Sequence, residues 1–157
     1  MGGTISNIVG LATTTSTFSL ANSQGWTSGT GAQQADRLYT ATRTIAASGT
    51  DPLDLAGVLT DGIGTTITFA RVKAMYIAAS GGNTNNVIVG GGTNPFVNWV
   101  GAGTHTVTVR PGGLLLLTAP DATAYVVTPA TGDILQLANS GAGTTVTYTI
   151  AIYGSSA

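Results

Sequence analysis

The chain has one histidine, His105, and one lysine, Lys73, so reactive chemistry has few places to reside. His105 in the role of general base would need an activated partner, and a Ser-His-Asp set needs a serine on a strained elbow. No G-x-S-x-G is present, and Ser140 within NSGAG reads as a turn residue. His105 alternates with threonines on the same strand face as Val107 and Val109, which reads as a hydrogen-bonded, partly buried side chain. The runs Gly81-Gly82 and Gly90-Gly91-Gly92 invite comparison with phosphate loops, but no G-x-x-x-x-G-K-[ST] occurs and Lys73 precedes both. Asp51, Asp54 and Asp61 offer oxygens to calcium without the EF-hand spacing or its closing glutamate. Trp26, Trp99, Tyr76, Asn83, Asn85 and Asn86 are the residue types of a sugar platform, although tryptophan in a β-sandwich more often serves core or interface. No catalytic, cofactor or metal residue is therefore expected, and the chain does not read as an enzyme.

Composition says what must hold these residues in place. With 157 residues the chain is one domain long, and with no cysteine it has neither disulfides nor thiolate metal sites. Charged residues make up 7%, against about a quarter in ordinary proteins, and the net charge is −1. All the acids are aspartates, so the Glu/Lys/Arg vocabulary of long soluble helices is missing. Threonine and glycine dominate, one favouring strands and the other turns, and the class is all-β. Five scattered basic residues form no stripe for phosphates, which argues against nucleic acid as a partner. A near-neutral surface suits a subunit packed against others.

The expected centre is Thr104–Asp121. A half-buried strand ends at Arg110-Pro111-Gly112-Gly113, a type II turn, and Leu114–Leu117 reads as a strand covered on both faces. Before it, residues 1–35 carry no charge and no sustained period. They read as an extended N-terminal arm, with no membrane span, whose Phe18 and Trp26 pack on the chain's own domain or on a neighbour. The domain is expected over 36–157. Asp36–Ser48 has a strand's composition, and Gly49–Gly64 reads as a connection with a short apolar piece at Leu53–Leu59. In the long strand Thr65–Ser80, Arg71 and Lys73 fall on the parity of Ile67 and Phe69. Either a bulge near Ala70 flips the phase or both cations face a partner. Asn94–Val100 is a loop or a short edge piece. Val87–Val89, Ala124–Thr128, Ile134–Ala138 and Thr144–Tyr153 complete about eight strands. In the last, Val146, Tyr148, Ile150 and Ile152 alternate with small polar residues. The spacing of turns points to an antiparallel β-sandwich, jelly-roll-like.

The stretches AQQADRLYTATRTIAASGTDPLDLAG, NTNNVIVGGGTNPF, VRPGGLLLLTAPDATAYVV and TGDILQLANSGAGTTVTYTIAIYG resemble small structural proteins of tailed bacteriophages. More narrowly, residues 33–154 resemble the β-sandwich decoration (cement) proteins of phage heads. The resemblance implies a non-enzymatic virion protein, assembled in the host cytoplasm, that binds the major capsid protein and other copies of itself as a dimer or trimer. It implies no cofactor, nucleic acid or membrane. Phe18, Trp26, Arg71, Lys73 and Trp99 are the expected interface residues. The alternative is a tail or fibre component with a receptor- or glycan-binding sandwich.

Overall fold

A computed structural model describes residues 23–157 in full, and Gly2–Val9 and Ala12–Ser19 as backbone strands. The strands in chain order begin with β1 (Gly2–Val9), β2 (Ala12–Ser19), β3 (Arg37–Ile45) and β4 (Thr50–Asp54). Next come β5 (Leu59–Thr60), β6 (Thr66–Ile67), β7 (Arg71–Ala79), β8 (Val87–Gly90) and β9 (Thr106–Val109). The remaining four are β10 (Leu114–Thr118), β11 (Tyr125–Val126), β12 (Ile134–Asn139) and β13 (Val146–Ser155). No helix occurs among the described residues, and every strand pairing is antiparallel.

Two sheets form the body. One runs β10-β7-β13-β3 with β11 also on β7, and the other runs β4-β12-β8-β9. β3 and β4, β7 and β8, β9 and β10, and β12 and β13 each lie in different sheets, so the chain repeatedly crosses from one layer to the other. β13 shows why the layers pack. Val146, Tyr148, Ile150 and Ile152 are fully buried while Thr149 and Tyr153 are exposed, the period of a strand with one wet face. These side chains join Met75 and Ile77 of β7, Val87 and Val89 of β8, and Leu135 and Leu137 of β12 in one apolar cluster. Leu53, Leu55 and Leu59, read from sequence as part of a connection, are also core, and Leu53 stands on the edge strand β4.

The turn before β10 forms as its residues require. Gly112 has φ of 74°, and Gly113 N–H donates to the Arg110 carbonyl at 2.8 Å. The expectation of a strand covered on both faces fails for Leu114–Leu117. β10 is the edge of its sheet, only its inner side meets the second layer, and Leu114 and Leu116 are 61% and 58% exposed. Thr65–Ser80 is likewise not one strand, since β6 and β7 belong to different sheets. The phase change lies at Lys73. Tyr153 pairs with Ala74 and Gly154 with Val72, leaving Lys73 as the extra residue of a bulge. A Cβ at Gly154 would strike the Arg71 carbonyl and the Phe69 ring, so only glycine fits opposite it.

Residues 27–35 are held to the body rather than extended from it. Gln33 N–H donates to the Pro120 carbonyl at 2.7 Å, and Asp36 N–H to that of Gly154 at 3.1 Å. β1 and β2 pair as a backbone hairpin; the Phe18 side chain lies outside the described residues.

Candidate interaction face

The outer side of the β10-β7-β13-β3 sheet is built from three cross-strand rows. They are Thr42–Thr149–Ala78–Leu114, Thr40–Ala151–Tyr76–Leu116 and Leu38–Tyr153–Ala74–Thr118. None of these positions is charged. Leu38, Tyr76, Leu114, Leu116 and Tyr153 are exposed, and contiguous apolar surface of this kind marks an interaction site more often than a solvated face. Its threonines are Thr40, Thr42, Thr118 and Thr149, with Thr42 Oγ1 and Thr149 Oγ1 3.1 Å apart. Trp26 and Gln24 lie over the lower rows and, with Ala74, Tyr76, Leu116, Thr118, Ala151 and Tyr153, line a groove of about 280 Å³.

Lys73 ties the segment that follows Trp26 to the body. Its side chain is fully buried, and Nζ donates to the carbonyls of Asp121 at 2.7 Å and Gly31 at 3.1 Å. A longer bond of 3.4 Å runs to Ala122. The bulge aims the ammonium at these carbonyls, tying the Trp26 segment and the loop after β10 to β7. Burial pulls the Lys73 pKa below the ordinary lysine value; Asp121 opposes this and Arg71 adds to it. The expectation that Lys73 faces a partner is thereby corrected, because its charge is directed inside its own fold. Arg71, also expected there, is half-buried, and its buried Nε has no hydrogen-bond partner among the described residues. Trp99 is not part of the face. It packs against the core cluster and donates from Nε1 to the Phe96 carbonyl at 2.9 Å.

The remaining candidates are occupied in local structure. His105 is exposed, with Nδ1 3.0 Å from the Val100 carbonyl oxygen. Asp54 accepts from Ala56 N–H, and Asp61 from Ile63 and Thr65 N–H, so each holds its own turn. Asn83 bonds Thr147 through both ends of its amide, at 2.9 and 2.8 Å, as a strand neighbour would. Asn85 donates to Asn139 Oδ1, and Asn139 donates to the carbonyls of Ala46 and Thr144, joining three loops at one end of the sandwich. Ser140 Oγ accepts from Asn86 N–H. Of the sugar-platform residues, Trp26 and Tyr76 line one groove, while the asparagines lie in the loops at the end of the sandwich.

A second polar cluster closes the opposite side of the sheet. Arg43 on β3 grips Asp51 on β4 with two bonds of 2.6 and 2.7 Å, and Tyr148 Oη on β13 donates to the same carboxylate at 2.8 Å. Burial would raise the Asp51 pKa, but the bonds from Arg43 and Tyr148 and the Arg43 charge outweigh it and hold the carboxyl below its usual range. The Tyr148 phenol is pushed well up by burial and by its bond to Asp51. This cluster joins both sheets; sequence reading missed it because Arg43 and Asp51 meet across two different sheets and Tyr148 lies far along the chain. The one available signal was Arg43 sharing the parity of Tyr39 and Ile45. Comparison with protein-family models, curated proteins and solved structures finds no match to this chain.

Proposed function

We propose that this chain is a non-enzymatic structural protein of a tailed-bacteriophage virion, bound to the outside of the head, where it holds shell subunits together. The observation that carries this reading is the charge-free outer face of the β10-β7-β13-β3 sheet, with Trp26 fixed across it. Such a face suits a broad protein surface better than a small polar substrate. The major capsid protein is the expected partner, and the resemblance of residues 33–154 to decoration proteins narrows the class. The strand orders β10-β7-β13-β3 and β4-β12-β8-β9, with the chain crossing repeatedly between the layers, support a jelly-roll winding. Weak contacts of this kind stabilise a shell when repeated over many copies.

Electron microscopy of purified particles tests the proposal. Density of this fold over the outer head surface is expected, and density confined to the tail would overturn it. Removing residues 1–22 should leave the sandwich folded and lower its occupancy on heads. The tail-module alternative has one observation in its favour, the aromatic groove of Trp26, Tyr76 and Tyr153. A glycan array with Trp26→Ala as control separates the two. Glycan binding lost in the variant would favour the tail reading.

A further inference from the structure

We propose that in the free protein the β1-β2 hairpin lies on the outer face of its own β10-β7-β13-β3 sheet. The inference concerns the unbound chain and stands whether or not a phage shell is the partner. It joins two elements that are each incomplete. A two-stranded hairpin is at best marginally stable alone and needs a surface against one of its sides. The register of β1 and β2 puts Ile5, Val9, Ala12 and Phe18 on one face. The other face has Ile8 as its one apolar member beside Thr4, Thr13, Thr15 and Thr17. On the body, the outer side of the sheet exposes Leu114, Leu116, Tyr76 and Tyr153.

Chain continuity selects the hairpin over any other cover. Gln24 and Trp26 already lie on this face, lining its groove with Tyr76 and Leu116. Just beyond them the chain is pinned to the body, by Lys73 Nζ at the Gly31 carbonyl and by Gln33 N–H at that of Pro120. Five peptide steps join Ser19, the end of β2, to Gln24, a reach of at most about 18 Å. The four strands of the sheet span about 14 Å from first to last. The base of β2 therefore cannot leave the neighbourhood of this face. A tether so short gives an effective concentration of about millimolar, which a separate partner must exceed. The sizes agree, since the hairpin strands have 8 residues each and β3 and β7 have 9. Residues 1–22 carry no charged side chain and neither do the three rows of the face, so the contact strands no ion. With the Ile5 and Phe18 face inward, the threonine-rich face meets water. A partner that docks on the sheet must then displace the hairpin, which stays tethered beside the new contact and free to add to it.

Thermolysin, which cuts before large apolar residues, reads the hairpin directly in the full-length protein. Cuts between Ile5 and Leu11, followed by mass spectrometry, should be slow in the unmodified chain. Leu116→Asp changes an exposed residue of the face and should accelerate them by about tenfold. Phe18→Asp should do the same, and the two together should add little, because both break one contact. Removing residues 1–22 should raise the fluorescence of the apolar-surface dye ANS several-fold. Cleavage of the unmodified chain as fast as that of both variants overturns the proposal, as does dye binding that the removal leaves unchanged. Protection that appears only as protein concentration rises would put the hairpin of a second copy on the face, and overturns it equally. If circular dichroism shows Leu116→Asp to be unfolded, Phe18→Asp and the dye still decide.

Discussion

The two sides of the sandwich solve the problem of a sheet edge in opposite ways. At β3 and β4 the edges are joined through side chains, since Arg43, Asp51 and Tyr148 bond across the layers and Pro52 removes a backbone donor. At β10 no strand among the described residues pairs with the outer edge, and leucines stand on the outer face. One side spends its few charges on closing the fold. The other has none within the strand, and its outward side chains are leucines and a threonine. In a protein with 7% charged residues, where the charges lie distinguishes internal closure from outward contact.

The largest expected effect lies within β10 itself, where neighbouring residues face different environments. Leu115 packs against the core cluster and Leu116 is exposed. Leu115→Asp should lower stability by about 3 kcal/mol in urea titration, and Leu116→Asp by no more than about 0.5 kcal/mol. Equal losses would abolish the distinction between the inner and outer faces.

On the closed side, Asp51→Asn should cost about 2 kcal/mol, because Arg43 loses its anion and Tyr148 its strongest acceptor. The same variant sharpens the pH dependence. Because the folded pKa of Asp51 lies below its unfolded value, its contribution is complete above the ordinary carboxylate range and is lost as pH falls through the folded value. Asp51→Asn should flatten the acid limb of the stability profile. It should not remove it, since hydrogen bonds from Ser156 outweigh burial at Asp36, and those from Ala124 and Thr123 act at Asp121, to lower both pKa values.

A smaller, local effect is expected at Lys73. Lys73→Met keeps the length of the side chain and removes the donor to Gly31 and Asp121. Global melting should shift by about 1 kcal/mol, while proteolysis within residues 27–35 should accelerate several-fold. Unchanged cleavage there would mean that the ammonium does not hold the Trp26 segment.

Much of the fold was legible because alternation survives wherever one face of a strand is wet. Val146 to Ile152 is the clearest example, and the Pro111-Gly112 turn follows from its residue types. The four leucines misled because an apolar run is the signature of a strand buried on two sides, whereas β10 is an edge strand with Leu115 and Leu117 inward and Leu114 and Leu116 exposed. At Lys73 parity left a bulge and a partner-facing cation both open; the bulge is there, three residues beyond Ala70, and parity does not reveal where a lysine ammonium will find carbonyls. Asn83, Asn85 and Asn86 looked like ligand residues; only the fold brings Thr147, Asn139 and Ser140 within their reach. Trp26 was legible as a packing residue, but the groove it covers is assembled from three distant strands.

β13 lies between β7 and β3, yet follows both in the chain. Arg37 pairs with Gly154, so the two halves of this sheet stay separate until the segment that joins them has been synthesised. During synthesis, the flank of β3 that will receive β13 has no partner, and a chain stalled before Val146 would present it to other proteins. Refolding should accordingly run in milliseconds to seconds, as for other folds dominated by non-local pairing, and stopped-flow tryptophan fluorescence would measure it. A chaperone that masks an incomplete sheet would have its opportunity in that interval, before the last strand arrives.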